Sequence, residues 1–231
     1  MLNYTIKPPL IDAVGIHATV FAIVLVKGGG LEPRGTGFLL NKPGLIATAS
    51  HVVGRGSETI GVIINEVSGI DDYQHAMRDQ ARYFVANIIA FDPIHDLAIL
   101  NVPSLSDFVN SSLTISGGDY VSVGQDVVSF GYPHFGGGRK VLTRFDAKIG
   151  AKMLLPSVAE DVKYLVLNTL ARPGQSGAPV FRAETNELVA VLSGAYQPPN
   201  QGISIMIGGA DLSAMSQTTH IVSAEYLKGM Y

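Results

Sequence analysis

The sequence predicts an all-β protein folded as two small antiparallel barrels packed together, and three observations lead there. Short runs rich in β-branched and aromatic residues recur between clusters of Gly, Pro, Asn and Asp, in sufficient number for two barrels. A connector rich in Ser, Asn and Gly, residues 103–118, interrupts that rhythm near the middle. The chain has 231 residues, 47% hydrophobic against 15% charged, which is enough apolar material to fill the cores of two such units.

The predicted elements follow in order. Residues 18–26 form the most apolar run near the start, too short to span a bilayer and containing Thr19, so they read as a strand over 19–26 and no membrane anchor is expected. Only Lys7 precedes this run and Lys27-Gly28-Gly29-Gly30 follows it, which is no leader-cleavage pattern, so a cytoplasmic protein is expected. Strands follow at 37–40, 45–49 and 60–64, with one helical turn within 49–53. Residues 65–81, NEVSGIDDYQHAMRDQA, are charged and aperiodic, and predict an exposed loop with at most a short helix. Strands at 82–91 and 97–102 complete the first unit, residues 1–110. The second unit, residues 111–231, has strands at 126–130, 164–167, 179–182, 188–192 and 202–207. A helix over 219–228 ends it, capped by Ser216 or Thr218, with Ile221, Val222, Tyr226 and Leu227 inward.

Composition narrows function. Sixteen basic against nineteen acidic residues give a formal charge of −3, with no basic excess for a nucleic-acid backbone. Cysteine is absent, which excludes disulfides and thiolate zinc sites.

Three separated motifs carry chemistry together: GTGFLLNKPGLIATASHVV with His51, FDPIHDLAIL with Asp96, and ARPGQSGAPV with Ser176. A serine hydroxyl is a weak nucleophile at neutral pH and needs an imidazole to take its proton and deliver it to the leaving amine, a role that suits His51. The imidazole needs a carboxylate to set its tautomer, and Asp96 directly precedes an apolar strand, unlike the alternative Asp92. Gly174-Gln175-Ser176-Gly177 allows a tight turn whose Gly174 and Ser176 amides converge as an oxyanion hole. No cofactor or metal is required for such chemistry.

TASHVV, DLAIL and PGQSGAPV, with GTGF and SFGYP, resemble the motifs of chymotrypsin-like (trypsin-like) serine proteases, nearest the cysteine-free HtrA/Deg-type branch. The resemblance covers nearly the whole chain and implies a triad in the cleft between two six-stranded barrels, acting on a protein or peptide substrate. It places Leu170 at the base of the primary specificity pocket, with Ser193, Gly194 and Ala195 along one wall and Gly202 at another, and has Ser193 hydrogen-bond Asp96. Such an uncharged pocket favours small or medium apolar side chains before the cut bond. Gln175 replaces the aspartate by which digestive relatives pair with a new N-terminus, so activation by N-terminal cleavage is not expected. No PDZ domain is expected either, while a regulatory protein partner or an oligomer stays open.

Plainer readings stand beside these. His95 adjoins Asp96 without a second ligand at metal spacing and reads as an exposed loop residue. Residues 133–140 (PHFGGGRK) lack the ending of a phosphate loop and read as a mobile segment near the cleft. The alternative to an enzyme is a protease-fold module that binds peptides or partners and is latent or non-catalytic.

Overall fold

In this computed structural model, residues 15–65, 69–76, 82–135, 139–196, 206–207, 210–211 and 218–231 are described. A helical turn, α1 (Ile16–Thr19), leads into β1 (Val20–Lys27), β2 (Gly30–Leu39) and β3 (Leu45–Thr48). The turn α2 (Ser50–Val53) then precedes β4 (Thr59–Ile63), β5 (Tyr83–Asp92) and β6 (Leu97–Asn101). These six strands close into an antiparallel barrel in the order β1-β2-β3-β6-β5-β4.

A connection with short 3₁₀ turns at Pro103–Leu105 and Gly118–Tyr120 crosses to β7 (Asp126–Gly131), β8 (Thr143–Pro156) and β9 (Asp161–Leu167). Next come β10 (Pro179–Arg182), β11 (Leu188–Tyr196), the short pair β12 (Met206–Ile207) and β13 (Ala210–Asp211), and β14 (Thr218–Ser223). The second closed barrel runs β10-β11-β14-β9-β8-β7.

Strand β1 is buried on two faces. Along β1, Phe21, Ile23 and Leu25 fill the first barrel, whereas Val20, Ala22 and Val24 join Phe130, Tyr132, Val191 and Val222 in the seam between barrels. That double burial explains why β1 reads as a continuous apolar run instead of an alternation. Ala178, Val180, Leu192 and Ile221 fill the second barrel.

The C-terminus departs from the expected helix: Thr218–Ser223 is strand, and only Ala224–Gly229 coils, as a 3₁₀ helix. The reason is tertiary. Ile221 enters the barrel and Val222 faces the seam, and pairing with β9 and β11 closes the sheet, an arrangement that suits β-branched residues. The long strand β8 was not expected. Its alternation of exposed Arg144, Asp146 and Lys148 with Phe145, Ala147 and Ile149, which pack inward, is the period-2 signal that identifies it. Most of the expected strand 202–207 lies outside the described residues, as do 66–68 and 77–81 of the charged loop and 136–138 of the glycine-rich one. The described part of the charged loop is not wholly free, since Gln74 donates to Leu142 O (2.8 Å) and accepts from Leu142 N (2.7 Å). Among the described residues no helix is long and apolar enough to cross a membrane.

Candidate active site

The site forms where three strand ends meet. His51 sits on α2, immediately after β3, and Arg34 of β2 holds that turn by donating to Val52 O (3.2 Å) and His51 O (3.3 Å). Asp96 ends the turn between β5 and β6 with φ 53°, a left-handed conformation that aspartate tolerates better than most residues. Its main chain is tied to the histidine turn by Ser50 N, which donates to Asp96 O at 3.1 Å.

The Asp96 carboxylate gathers donors from both barrels. Oδ1 accepts from Ser50 Oγ (2.9 Å) and His51 N (3.1 Å), while Oδ2 lies 2.8 Å from His51 Nδ1 and accepts from Ser193 Oγ at 2.5 Å. Burial pushes the Asp96 carboxyl up, but the hydrogen bond and charge of His51, with Ser193, outweigh it and hold the group below its ordinary value. An ionised carboxylate can only accept, so the proton of a neutral His51 belongs on Nδ1 and the Nε2 lone pair is left for another donor.

Ser176 lies in the loop before β10. Gln175 N donates to Arg172 O (3.1 Å), closing a turn with Pro173 and Gly174 at its centre. Gly174 has φ 96°, as the third position of a type II turn requires, and a Cβ there would stand 2.2 Å from Tyr132 O. The peptide planes are locked from their carbonyl sides: Pro173 O accepts from His134 N (2.7 Å) and Gln175 O from Ala178 N (2.9 Å). The N–H groups on the opposite edges of those planes belong to Gly174 and Ser176, and among the described residues neither donates a hydrogen bond.

Gln175, buried, turns its Oε1 back to accept from Arg172 N at 2.6 Å, so the residue before Ser176 braces its own loop. Thr36 ties the loop to the first barrel. Its N donates to Ser176 O (2.8 Å), and its Oγ1 donates to Gly174 O (2.8 Å) while accepting from Tyr132 N (3.2 Å).

His51, Ser176, Ser193 and Gly194 line one open cavity of ≈ 430 Å³ with Leu155, Tyr164 and His220. No hydrogen bond joins Ser176 Oγ to His51 among the described residues, a slack common in such pairs before substrate tightens them. Of the other residues expected at the pocket, Leu170 does not line this cavity and is 44% exposed. Its segment is anchored instead by fully buried Thr219, which donates to Thr169 O (2.6 Å) and accepts from Ala171 N (2.7 Å). Ala195 continues β11 opposite Thr219, and Gly202 lies outside the described residues.

Sequence reasoning did not find Leu155, Tyr164 or His220. The pairing of His220 with Gly194 across β14 and β11 brings it to the cavity, and that pairing is invisible while 219–228 reads as helix. Burial lowers the His220 pKa, and Nε2 lies 3.1 Å from Thr218 Oγ1; burial and the nearby Asp96 charge push the Tyr164 phenol up to about 12. His95 is also not the exposed loop residue expected: it is 8% exposed, because the second barrel packs over its turn. Among the described residues, no group of three or more His, Asp or Glu is placed to hold a metal.

A family model described as a trypsin-like peptidase domain matches residues 35–191. A probable periplasmic serine endoprotease, DegP-like, of Rhizobium meliloti is 28% identical over 179 residues, 77% of this chain and 31% of its own length. The serine protease Rv3671c of Mycobacterium tuberculosis is 25% identical over 212 residues, 87% of this chain and 47% of its own. The chain thus spans less than half the length of either relative. The crystal structure of the active form of the Rv3671c protease superposes with a TM-score of 0.67 at 22% identity, covering 96% of this chain and 82% of that one, a likeness of fold.

The relatives overturn the expectation of a cytoplasmic protein, since those from Rhizobium meliloti and Chlamydia pneumoniae are named as periplasmic. The expectation rested on the lack of a leader-cleavage pattern around residues 18–26, and most of those residues form the buried strand β1, whose flanks carry no information about compartment. With the family model covering residues 35–191 and two closed six-stranded barrels around the cleft, the chain belongs to the trypsin-like peptidase domain family and has its chymotrypsin-like double-barrel fold.

Proposed function

We propose that this domain is a serine endopeptidase in which Ser176 is the nucleophile, His51 the general base and Asp96 the residue that orients it. Ser176 Oγ attacks the scissile carbonyl carbon as its proton passes to His51 Nε2. The carbonyl oxygen takes the negative charge and is met by the amides of Gly174 and Ser176. Collapse of this intermediate breaks the C–N bond, the amine leaves with the proton from His51, and water hydrolyses the acyl-enzyme by the same relay. The observation that carries the reading is the Asp96 carboxylate 2.8 Å from Nδ1 of His51, which lines one cavity with Ser176. The unengaged Gly174 and Ser176 amides add to it.

The substrate class is protein or peptide. The small walls at Ser193 and Gly194, the apolar Leu155 and a histidine whose charged form is disfavoured by burial support a preference for small or medium apolar side chains before the cut bond. By likeness to the DegP-like relatives, the working location is the periplasm.

A tagged fluorophosphonate tests this directly. Labelling should map to Ser176 and vanish in both Ser176→Ala and His51→Ala; a folded wild-type protein that stays unlabelled would point to the latent or non-catalytic alternative.

A further inference from the structure

His95, one residue before Asp96, is held by three parts of the fold. Within its own turn, Nδ1 lies 2.6 Å from Asp92 Oδ2, and Asp92 Oδ1 accepts from the amides of Ile94 (3.0 Å) and His95 (3.1 Å). On the far side, Nε2 stands 3.3 Å from Oε1 of Glu160, in the connection between β8 and β9. That is ion-pair distance without hydrogen-bond alignment, so a buried ring nitrogen is left without a hydrogen-bond partner. The ring stacks on Tyr226 with centroids 3.8 Å apart at 27°, and the Tyr226 hydroxyl accepts from Lys163 N of β9 (2.9 Å). A first-barrel histidine is therefore gripped by the second barrel at its edge and its face. The next residue, Asp96, has the left-handed φ of 53°, which is uncommon outside glycine even though aspartate tolerates it, so contacts around the turn help to hold it.

We propose that His95 is a positioning residue: by pairing with Asp92 inside its turn and with Glu160 across the barrel seam, it fixes the backbone of Asp96 and thereby the carboxylate that orients His51. The inference rests on the catalytic reading above. The two ring nitrogens face the two carboxylates, so one ring links the turn of Asp92 to Glu160 across the seam. The charged groups around it are Asp92, Glu160 and the adjoining Asp96; Lys163, beyond Tyr226, is engaged by Asp119 (2.6 Å) and Glu225 (2.9 Å).

Two substitutions separate the local from the cross-barrel role, because asparagine matches the place of Nδ1 and glutamine the reach of Nε2. His95→Ala should slow labelling of Ser176 by about tenfold or more, since small misplacements of a catalytic group are amplified in rate. It should lower kcat for a peptide substrate with little change in KM, and move the acid limb of the pH–rate profile. His95→Gln should restore most of the rate and His95→Asn should not, and Glu160→Gln should be non-additive with His95→Ala. If the alanine variant does not fold, the contrast between glutamine and asparagine decides. Rescue by asparagine alone, additive effects, or wild-type labelling in His95→Ala would overturn the proposal. A wild type that cannot be labelled at Ser176 would instead overturn the catalytic reading, and this proposal with it.

Discussion

At Asp96 one carboxylate accepts from Ser50, His51 and Ser193, which lie on the histidine turn and on β11, so a single residue ties the two barrels at the proposed active site. Asp96→Asn would present an amide N–H to His51 or lose an acceptor toward Ser193, favouring the wrong imidazole tautomer. Turnover of a peptide substrate is expected to fall roughly ten-thousandfold, with the fold intact by circular dichroism. Asp92 is also held below its ordinary value: burial opposes this, but the hydrogen bonds and charge of His95, with the Ile94 amide, prevail. A carboxyl whose folded pKa is depressed contributes stability above its unfolded pKa, about 4, and loses it as pH falls through the folded value. Denaturant midpoints should therefore fall steeply below about pH 4, beyond a milder loss that His220, with its lowered pKa, begins below about pH 6.5, and the steep part should be shallower in Asp96→Asn; an equal acid slope in that variant would remove Asp96 from the account. The motifs name His51, Asp96 and Ser176, the triad proposed above, whereas nothing local points to His95, Tyr164 or His220, since each depends on a neighbour far away in the chain.

The turn from Arg172 to Gln175 is the element on which the oxyanion reading depends. Gly174→Ala would place a methyl against Tyr132 O in a backbone conformation that alanine avoids. Labelling of Ser176 should drop by about a hundredfold or more, the usual effect of losing one oxyanion donor. Labelling at the wild-type rate would show that the amide is not used. The pattern of this turn was legible because Pro followed by Gly has few conformations, and most strands were legible from their β-branched runs. Strand β14 was not, because Thr219–Ser223 satisfies a helical spacing equally well until β9 and β11 are in place to pair with it. Ile221, fully buried inside the barrel, gives that strand an energetic test: Ile221→Ala should cost about 2–5 kcal/mol, by denaturant unfolding.

Across the whole molecule, the barrels meet through an apolar seam crossed by a few directed bonds. Tyr132, fully buried, donates its hydroxyl to Val20 O at 3.1 Å, and burial raises its phenol pKa far above the ordinary value. Tyr132→Phe should cost about 1–3 kcal/mol by leaving that carbonyl without its side-chain donor, with unfolding still a single transition. Two separated transitions would mean that the barrels are only loosely coupled. Other ties across the seam are Thr36 to the Ser176 loop, Gln74 to Leu142, and Tyr231, whose hydroxyl donates to Asn41 Oδ1 at 3.0 Å. Strand patterning, tight turns and the chemistry of a serine nucleophile are local properties, so the all-β class, the two-barrel plan and the three motifs can be read along the chain. Long-range packing makes residues 219–223 strand, brings His220 and Tyr164 but not Leu170 to the cavity, and buries His95 between carboxylates. Those outcomes depend on which strands lie side by side when two sheets close and pack, and that is set by the summed burial of the whole chain.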